Sequence, residues 1–230
     1  MPSGRKPPIL TVLPPRRCLM NVNTRRNAPS NVAMGEVRVI GGTLKRSKLA
    51  VPNRPGLRPT PDRVRETLFN WLAPMIEGAR VLDLCAGTGA LGIEALSRGA
   101  VFAWLNEADE GLAAQIVKNG ERLQIADRMR VSRLPAERLI ATRPDALFDG
   151  AFVDPPYNSA LWPKILARLP SWLAPGAWVY LEHPADMAPP FGGDWQVRKQ
   201  SRAGRVSFYL LEHAPLSASV SDQPTAESAP

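Results

Sequence analysis

The sequence predicts an α/β fold built on an open, mostly parallel β-sheet, and three observations predict it. Short apolar runs alternate with helix-like segments from residue 80 to about residue 182, the pattern of strands buried on both faces of a parallel sheet. A glycine turn containing Gly87 and Gly89 follows the first of these runs, at the carboxyl end where such sheets bind ligands. Two strand-like runs then follow one another near the C-terminus. They predict a sheet closed by an antiparallel pair, with the last strand antiparallel.

In chain order, a helix is expected over 62–72 and a strand over 80–84. A helix over 91–98 and a strand over 102–106 come next. Helix 111–123, strand 129–132, helix 136–141 and strand 148–153 continue the alternation, and a helix is expected over 160–173. Strands over 178–182, 196–200 and 207–212 complete the set. Residues 1–33, rich in Pro, Arg and Asn and without apolar period, read as a disordered basic tail, because such a composition cannot offset the entropy of ordering. Met34 is followed at once by the first alternating apolar stretch, which makes it an expected alternative start of translation. The Ser-, Ala- and Pro-rich residues 214–230 read as a second tail. The expected division is therefore a basic tail (1–33), an N-terminal segment (34–70), a main domain (71–213) and the C-terminal tail (214–230).

The 230 residues carry 44% hydrophobic and 22% charged residues and two cysteines, Cys18 and Cys85. That is a globular composition, too poor in cysteine for a disulfide framework or a CxxC metal site. No apolar stretch reaches the length of a membrane helix, and no secretory signal is recognisable. A cytoplasmic protein, a monomer without membrane association, is the expectation. The net charge of +8 is unevenly placed. Residues 1–34 hold six Lys and Arg and no acid, residues 35–65 hold eight against two, and residues 66–230 hold fifteen against nineteen. A mildly acidic body thus bears a strongly basic N-terminal extension, the asymmetry of a nucleic-acid-binding arm.

Taken literally, Gly87, Gly89 and Gly92 spell G-x-G-x-x-G, with Glu107 twenty residues beyond Gly87 at the end of the next strand. This also fits a dinucleotide-binding loop. Asp83 decides between the two ligands. At the mouth of the loop its carboxylate would face an anionic pyrophosphate at a cost of about 4 kcal/mol at 4 Å and an effective dielectric near 20. Toward the sulfonium and ammonium of S-adenosylmethionine the same charge is attractive. Asp83, Ala86, Gly87, Gly89 and Glu107 are the expected cofactor-binding residues, with Glu107 accepting from ribose hydroxyls.

Asp154-Pro155-Pro156-Tyr157 follows the apolar run 148–153. Two prolines stiffen the backbone and offer no N–H donors, so Asp154 and the carbonyls make an acceptor-only pocket suited to an amino group. An exocyclic base amine is a poor nucleophile until acceptors hold its hydrogens and take up its proton. Asp154 and the Pro155 carbonyl can do both, while Tyr157 would stack on a base turned out of its helix. Asp154, Pro155, Pro156 and Tyr157 are the expected catalytic set.

With Arg38-Val39-Ile40-Gly41-Gly42 and Gly56-Leu57-Arg58-Pro59-Thr60-Pro61-Asp62-Arg63-Val64-Arg65-Glu66-Thr67-Leu68-Phe69-Asn70, the chain resembles the bacterial 16S ribosomal RNA guanine-N2 methyltransferases of the RsmD type over residues 35–212. The resemblance implies a seven-stranded Rossmann-like, class I methyltransferase fold. It also implies methyl transfer from S-adenosylmethionine to N2 of a guanine in 16S rRNA, free or in the small ribosomal subunit. Cofactor positions would fall on Asp83, Gly87, Gly89 and Glu107 and the catalytic motif on 154–157. Two departures stand out: Pro135-Ala136 where relatives carry Asp or Asn beside the adenine, and His183 where they carry a small polar residue. Arg38, Lys45, Arg46, Lys48, Arg58, Arg63 and Arg65 would grip phosphates, or the last three would instead pair with Glu66 and other acids to dock the segment. The alternatives are a DNA or RNA adenine-N6 methyltransferase, a protein amide methyltransferase (disfavoured by Asp at position 154), a nicotinamide-dependent oxidoreductase and a non-catalytic RNA-binding module.

Overall fold

In the computed structural model the described residues are 35–52, 54, 60–156 and 160–214. The expected tails, apart from Ala214, as well as Arg58 and Tyr157, lie outside them. The chain opens with a hairpin, β1 (Gly35–Arg38) paired antiparallel to β2 (Lys48–Val51), which the sequence reading did not assign. Its alternation puts Val37, Val39, Leu49 and Val51 into the core and leaves Arg38 and Lys48, directly opposite each other, exposed.

The body alternates as expected. α1 (Asp62–Leu72), β3 (Arg80–Asp83), α2 (Ala90–Ser97), β4 (Phe102–Asn106), α3 (Glu110–Arg122), β5 (Met129–Ser132), α4 (Ala136–Leu139), β6 (Phe148–Val153) and α5 (Leu161–Leu166) lead to β7 (Leu173–Pro184), β8 (Trp195–Ala203) and β9 (Val206–His213). The seven-stranded sheet has the order β5-β4-β3-β6-β7-β9-β8. Every pairing from β5 to β7 is parallel, and β9 runs antiparallel to both neighbours. The order in which the chain adds strands reverses between β3 and β6, the switch point where open α/β sheets leave a crevice.

α1, α2 and α3 cover one face through Leu68, Phe69, Ile93 and Ile116, and α4 and α5 cover the other through Leu139, Ile165 and Trp162. α1 crosses the expected segment boundary at residues 70 and 71 without a break. The helix expected over 160–173 is cut to α5, followed by a 3-10 turn, Leu169–Trp172. Pro170 cannot donate to residue 166, so the α-helical ladder ends there. β7 extends well beyond 178–182 at both ends, its start hidden in sequence by Pro175 and Gly176.

Candidate active site at the carboxyl edge of the sheet

β3 ends in Asp83, whose Oδ2 accepts from the Gly92 N–H at 3.1 Å and is 3% exposed. This bond ties the strand end to the first turn of α2. Between them the backbone turns through Gly87 (φ 52°) and Gly89 (φ 76°), both in the left-handed region that glycine enters without strain. A Cβ on Gly89 would also meet Ile116 at 3.0 Å. Ala86 donates to the Asn106 carbonyl at 2.9 Å, which places the loop against the end of β4.

Glu107 lies just past β4 and accepts from the N–H groups of Gly87 and Asp109, both at 2.8 Å. A carboxylate has about four lone-pair sites, so both oxygens keep capacity for further donors. Asn106 was only a strand end in the sequence. In the structure its amide donates to the carbonyls of Leu84 (3.1 Å) and Leu134 (2.9 Å) and accepts from Ser132 Oγ (2.8 Å). It therefore cross-links the loops after β3, β4 and β5. A polar residue closing the apolar run Phe102 to Leu105 was the available signal.

At the departure noted beside the adenine position, Pro135 precedes α4 and Ala136 is buried. The Leu134 N–H donates to Asn106 Oδ1 at 3.3 Å. That loop is fixed by its backbone and not by an Asp or Asn of its own.

Asp154 follows β6. The parallel pairings of Asp83 with Phe152 and of Val153 with Leu181 place Asp83 on β3, Glu182 on β7 and Asp154 one residue past the end of β6 between them. Side chains alternate faces along a strand. All three therefore point to the face covered by α1, the side on which Phe152 and Tyr180 pack. Glu182 is 3% exposed, accepts from Tyr180 OH at 2.5 Å and receives the Thr60 hydroxyl. Asp154 is half-buried, Pro155 buried and Pro156 exposed.

Burial pushes the Asp83 carboxyl up to about 7, against the Gly92 N–H, which favours the charged form, and with the Glu107 charge adding to the rise. Asp154 is raised well above the carboxylate range by burial, then by the charges of Glu182 and Asp83. Burial raises Glu182 against the two hydroxyls that favour its ionised form. The Cys85 thiol on the loop is pushed up by burial and by Asp83, Asp154, Glu107 and Glu137. The charged groups that act on this edge are acids, and among the described residues no cation joins them. Such an edge favours a cation or a donor-rich group, whose arrival draws its carboxyls into the ionised form, over a phosphate.

His183 turns to the opposite face, buried and stacked on Tyr209 at 5.4 Å; this is a packing environment. Among the residues expected to grip phosphates, Arg38, Lys45, Arg46, Lys48 and Arg63 are exposed at the surface, Lys48 pairing with Glu36 at 2.9 Å. Arg65 corrects the expectation of a surface cation. It lies on the stripe Val64, Arg65, Leu68, Phe69 and Leu72 that α1 buries, is 0% exposed, and pairs with Asp62 at 2.7 Å and Glu94 at 3.8 Å. Of its two expected roles, docking is the one the geometry favours.

Residues 37–212 match the family described as "Conserved hypothetical protein 95". The chain is 41% identical over 187 residues to ribosomal RNA small subunit methyltransferase D of Escherichia coli strain K12, covering 80% of this chain and 93% of that protein. Its identity to the protein of the same name from Haemophilus influenzae is 38% over 185 residues, covering 79% and 96%. The solved structure of the Escherichia coli protein yhhF superposes with a TM-score of 0.72 at 39% identity, covering 78% of this chain and 99% of that one. The chain belongs to the conserved hypothetical protein 95 family, which is the RsmD family, and it has the class I methyltransferase fold.

Proposed function

We propose that the chain is an S-adenosylmethionine-dependent ribosomal RNA methyltransferase whose target is the exocyclic N2 amine of a guanine in 16S rRNA. The observation that carries this reading is the row Asp83, Asp154 and Glu182 at the switch point, beside a glycine loop and without a compensating cation among the described residues. Relatives named as small-subunit rRNA methyltransferases support the substrate class.

The residues fit the cofactor. Its ammonium and sulfonium suit an acidic edge that disfavours a dinucleotide pyrophosphate. Asp83 and the loop of Ala86, Gly87 and Gly89 would receive its amino acid end, and the free lone pairs of Glu107 its ribose hydroxyls. When bound, S-adenosylmethionine supplies an electrophilic methyl group. Asp154 and the Pro155 carbonyl hold the amine hydrogens and orient the nitrogen lone pair, and Asp154 receives the proton that leaves. Tyr157 completes the set as the base-stacking residue.

Arg38, Lys45, Arg46 and Arg63 would contact phosphates. The substrate form we favour is the small ribosomal subunit or a partly assembled precursor, bound by a monomer of this chain.

Tritiated-methyl transfer to small subunits lacking the modification, with wild type and Asp154→Ala compared and nucleosides analysed, tests the reading. Label in N2-methylguanosine with wild type alone is expected. Label only in N6-methyladenine, in DNA or in protein would overturn the assigned target. Binding of NAD in place of S-adenosylmethionine would overturn the enzyme class.

A further inference from the structure

The chemistry proposed for Asp154 leaves Glu182 without a task, although Glu182 is almost wholly buried one strand away on the same face. A carboxyl group in that position is costly unless it is paired and hydrogen-bonded. No Lys or Arg among the described residues forms an ion pair with it. It is instead held by two hydroxyls, Tyr180 OH at 2.5 Å from within β7 and Thr60 from the residue before Pro61, which caps α1. Hydroxyl donors stabilise the ionised form of a carboxyl without cancelling its charge. The pairing of Val153 with Leu181 brings Glu182 beside Asp154, so in its ionised form Glu182 acts on Asp154.

We propose that Glu182 is a positioning residue whose buried charge, fixed by Tyr180 and Thr60, makes Asp154 a stronger acceptor for the proton that the target amine sheds. This rests on the methyltransferase reading of the site. The amine nitrogen bonds to the methyl carbon while the carbon–sulfur bond breaks toward sulfur. Its N–H bond breaks with the electron pair returning to nitrogen. The proton passes to a carboxylate oxygen of Asp154, and from there to solvent.

An isolated carboxylate of ordinary acidity holds such a proton weakly at neutral pH. A like charge alongside raises its proton affinity, as in other carboxyl pairs. The groups that face the pair are Asp83 from β3, Tyr180 from β7, Thr60 ahead of α1 and, further along the edge, Cys85. α1 itself presents Phe69 to Phe152 at 6.1 Å, while Arg65 turns to Asp62 and Glu94. The same arrangement gives Thr60 a reason for its place: it carries a hydroxyl from the N-terminal segment to the catalytic edge.

Glu182→Gln keeps the shape and an acceptor for both hydroxyls but removes the charge. Carboxyl carbon NMR of protein labelled at aspartate, with Asp154 assigned through Asp154→Asn, would follow its titration without any substrate. The expected result is a midpoint lower by about one pH unit or more in Glu182→Gln. The acid limb of kcat against pH should move down by the same amount, with S-adenosylmethionine affinity within about twofold of wild type by the same reasoning. An unmoved Asp154 titration would overturn the proposal, even if kcat fell, because a merely structural role predicts that outcome. Should Glu182→Gln fail to fold, Tyr180→Phe, which weakens the ionised form of Glu182, is expected to shift the Asp154 midpoint in the same direction, and the absence of a shift is equally decisive. A titration that moves in protein unable to methylate rRNA would uphold the coupling and remove only the reading of the substrate.

Discussion

Two sets of buried carboxyl groups lie on the same face of this sheet, and they are treated in opposite ways. Glu94, on α2, is fully buried and fully answered: the N–H groups of Ile40 (2.8 Å) and Gly41 (2.7 Å), Arg98 Nε (2.7 Å) and Arg65 Nη1 (3.8 Å) surround it. Ser97, one turn on, donates to the Gly41 carbonyl at 2.5 Å and accepts from the Leu44 N–H at 2.9 Å. Together they clamp the N-terminal hairpin and α1 onto the helix that carries the glycine loop. Asp83, Asp154 and Glu182 have no cation among the described residues, and burial raises all three. A carboxylate that holds the fold together brings its counter-charge with it. A row of carboxyls without one is available to a charge or a donor that arrives with the substrate and cofactor.

Breaking the compensated set should unfold the protein and breaking the uncompensated row should not. The largest effect is therefore expected for Glu94→Ala, which leaves the N–H groups of Ile40 and Gly41 and the Arg98 guanidinium without their acceptor, and Arg65 with Asp62 as its one remaining counter-charge among the described residues. Removing one partner of a buried pair costs about 3–5 kcal/mol, measurable by chemical denaturation, and retention of wild-type stability would dissolve the contrast. Asp154→Ala is expected to lower kcat by at least about a hundredfold, the scale of losing one oriented transition-state partner. Its melting temperature and S-adenosylmethionine affinity should stay near wild type. Smaller still, Lys45→Ala or Arg46→Ala should weaken RNA binding severalfold and reduce the salt slope by about one. Arg65→Ala should lower stability instead, without a matching change in that slope.

Most of the parallel sheet was legible in the sequence because its strands are short apolar runs with polar residues or turns at their ends: Phe102–Asn106, Met129–Ser132 and Phe148–Val153 appear as read. The glycine loop and the Asp-Pro-Pro turn after β6 were legible because local chain geometry favours those residue types. What escaped depends on partners distant in sequence. The β1–β2 hairpin has strands of four residues, and its stability comes from Glu94, Ser97 and Asn119. Arg65 reads as a surface cation until the phase of α1 is set by what it packs against. Glu182 acquires meaning only through the register that brings it beside Asp154.

The pH dependence of cofactor binding tests the central claim most directly. Asp83, raised to about 7 in the free protein, must ionise to meet a cation, so binding should release protons below pH 7. Affinity should then climb by up to tenfold per pH unit between about pH 6 and 7 and level off above. The sign for folding is the reverse. Between its unfolded value and about 7 the folded protein binds the extra proton, so the Asp83 contribution to stability without cofactor declines as pH rises through that window. Calorimetric titration of S-adenosylmethionine at about pH 6.5, just below the raised Asp83 midpoint, in two buffers of different ionisation enthalpy, should show net proton release in wild type and much less in Asp83→Asn. Binding without proton release, and equal in the two proteins, would mean that the acidic row is not held open for a cation.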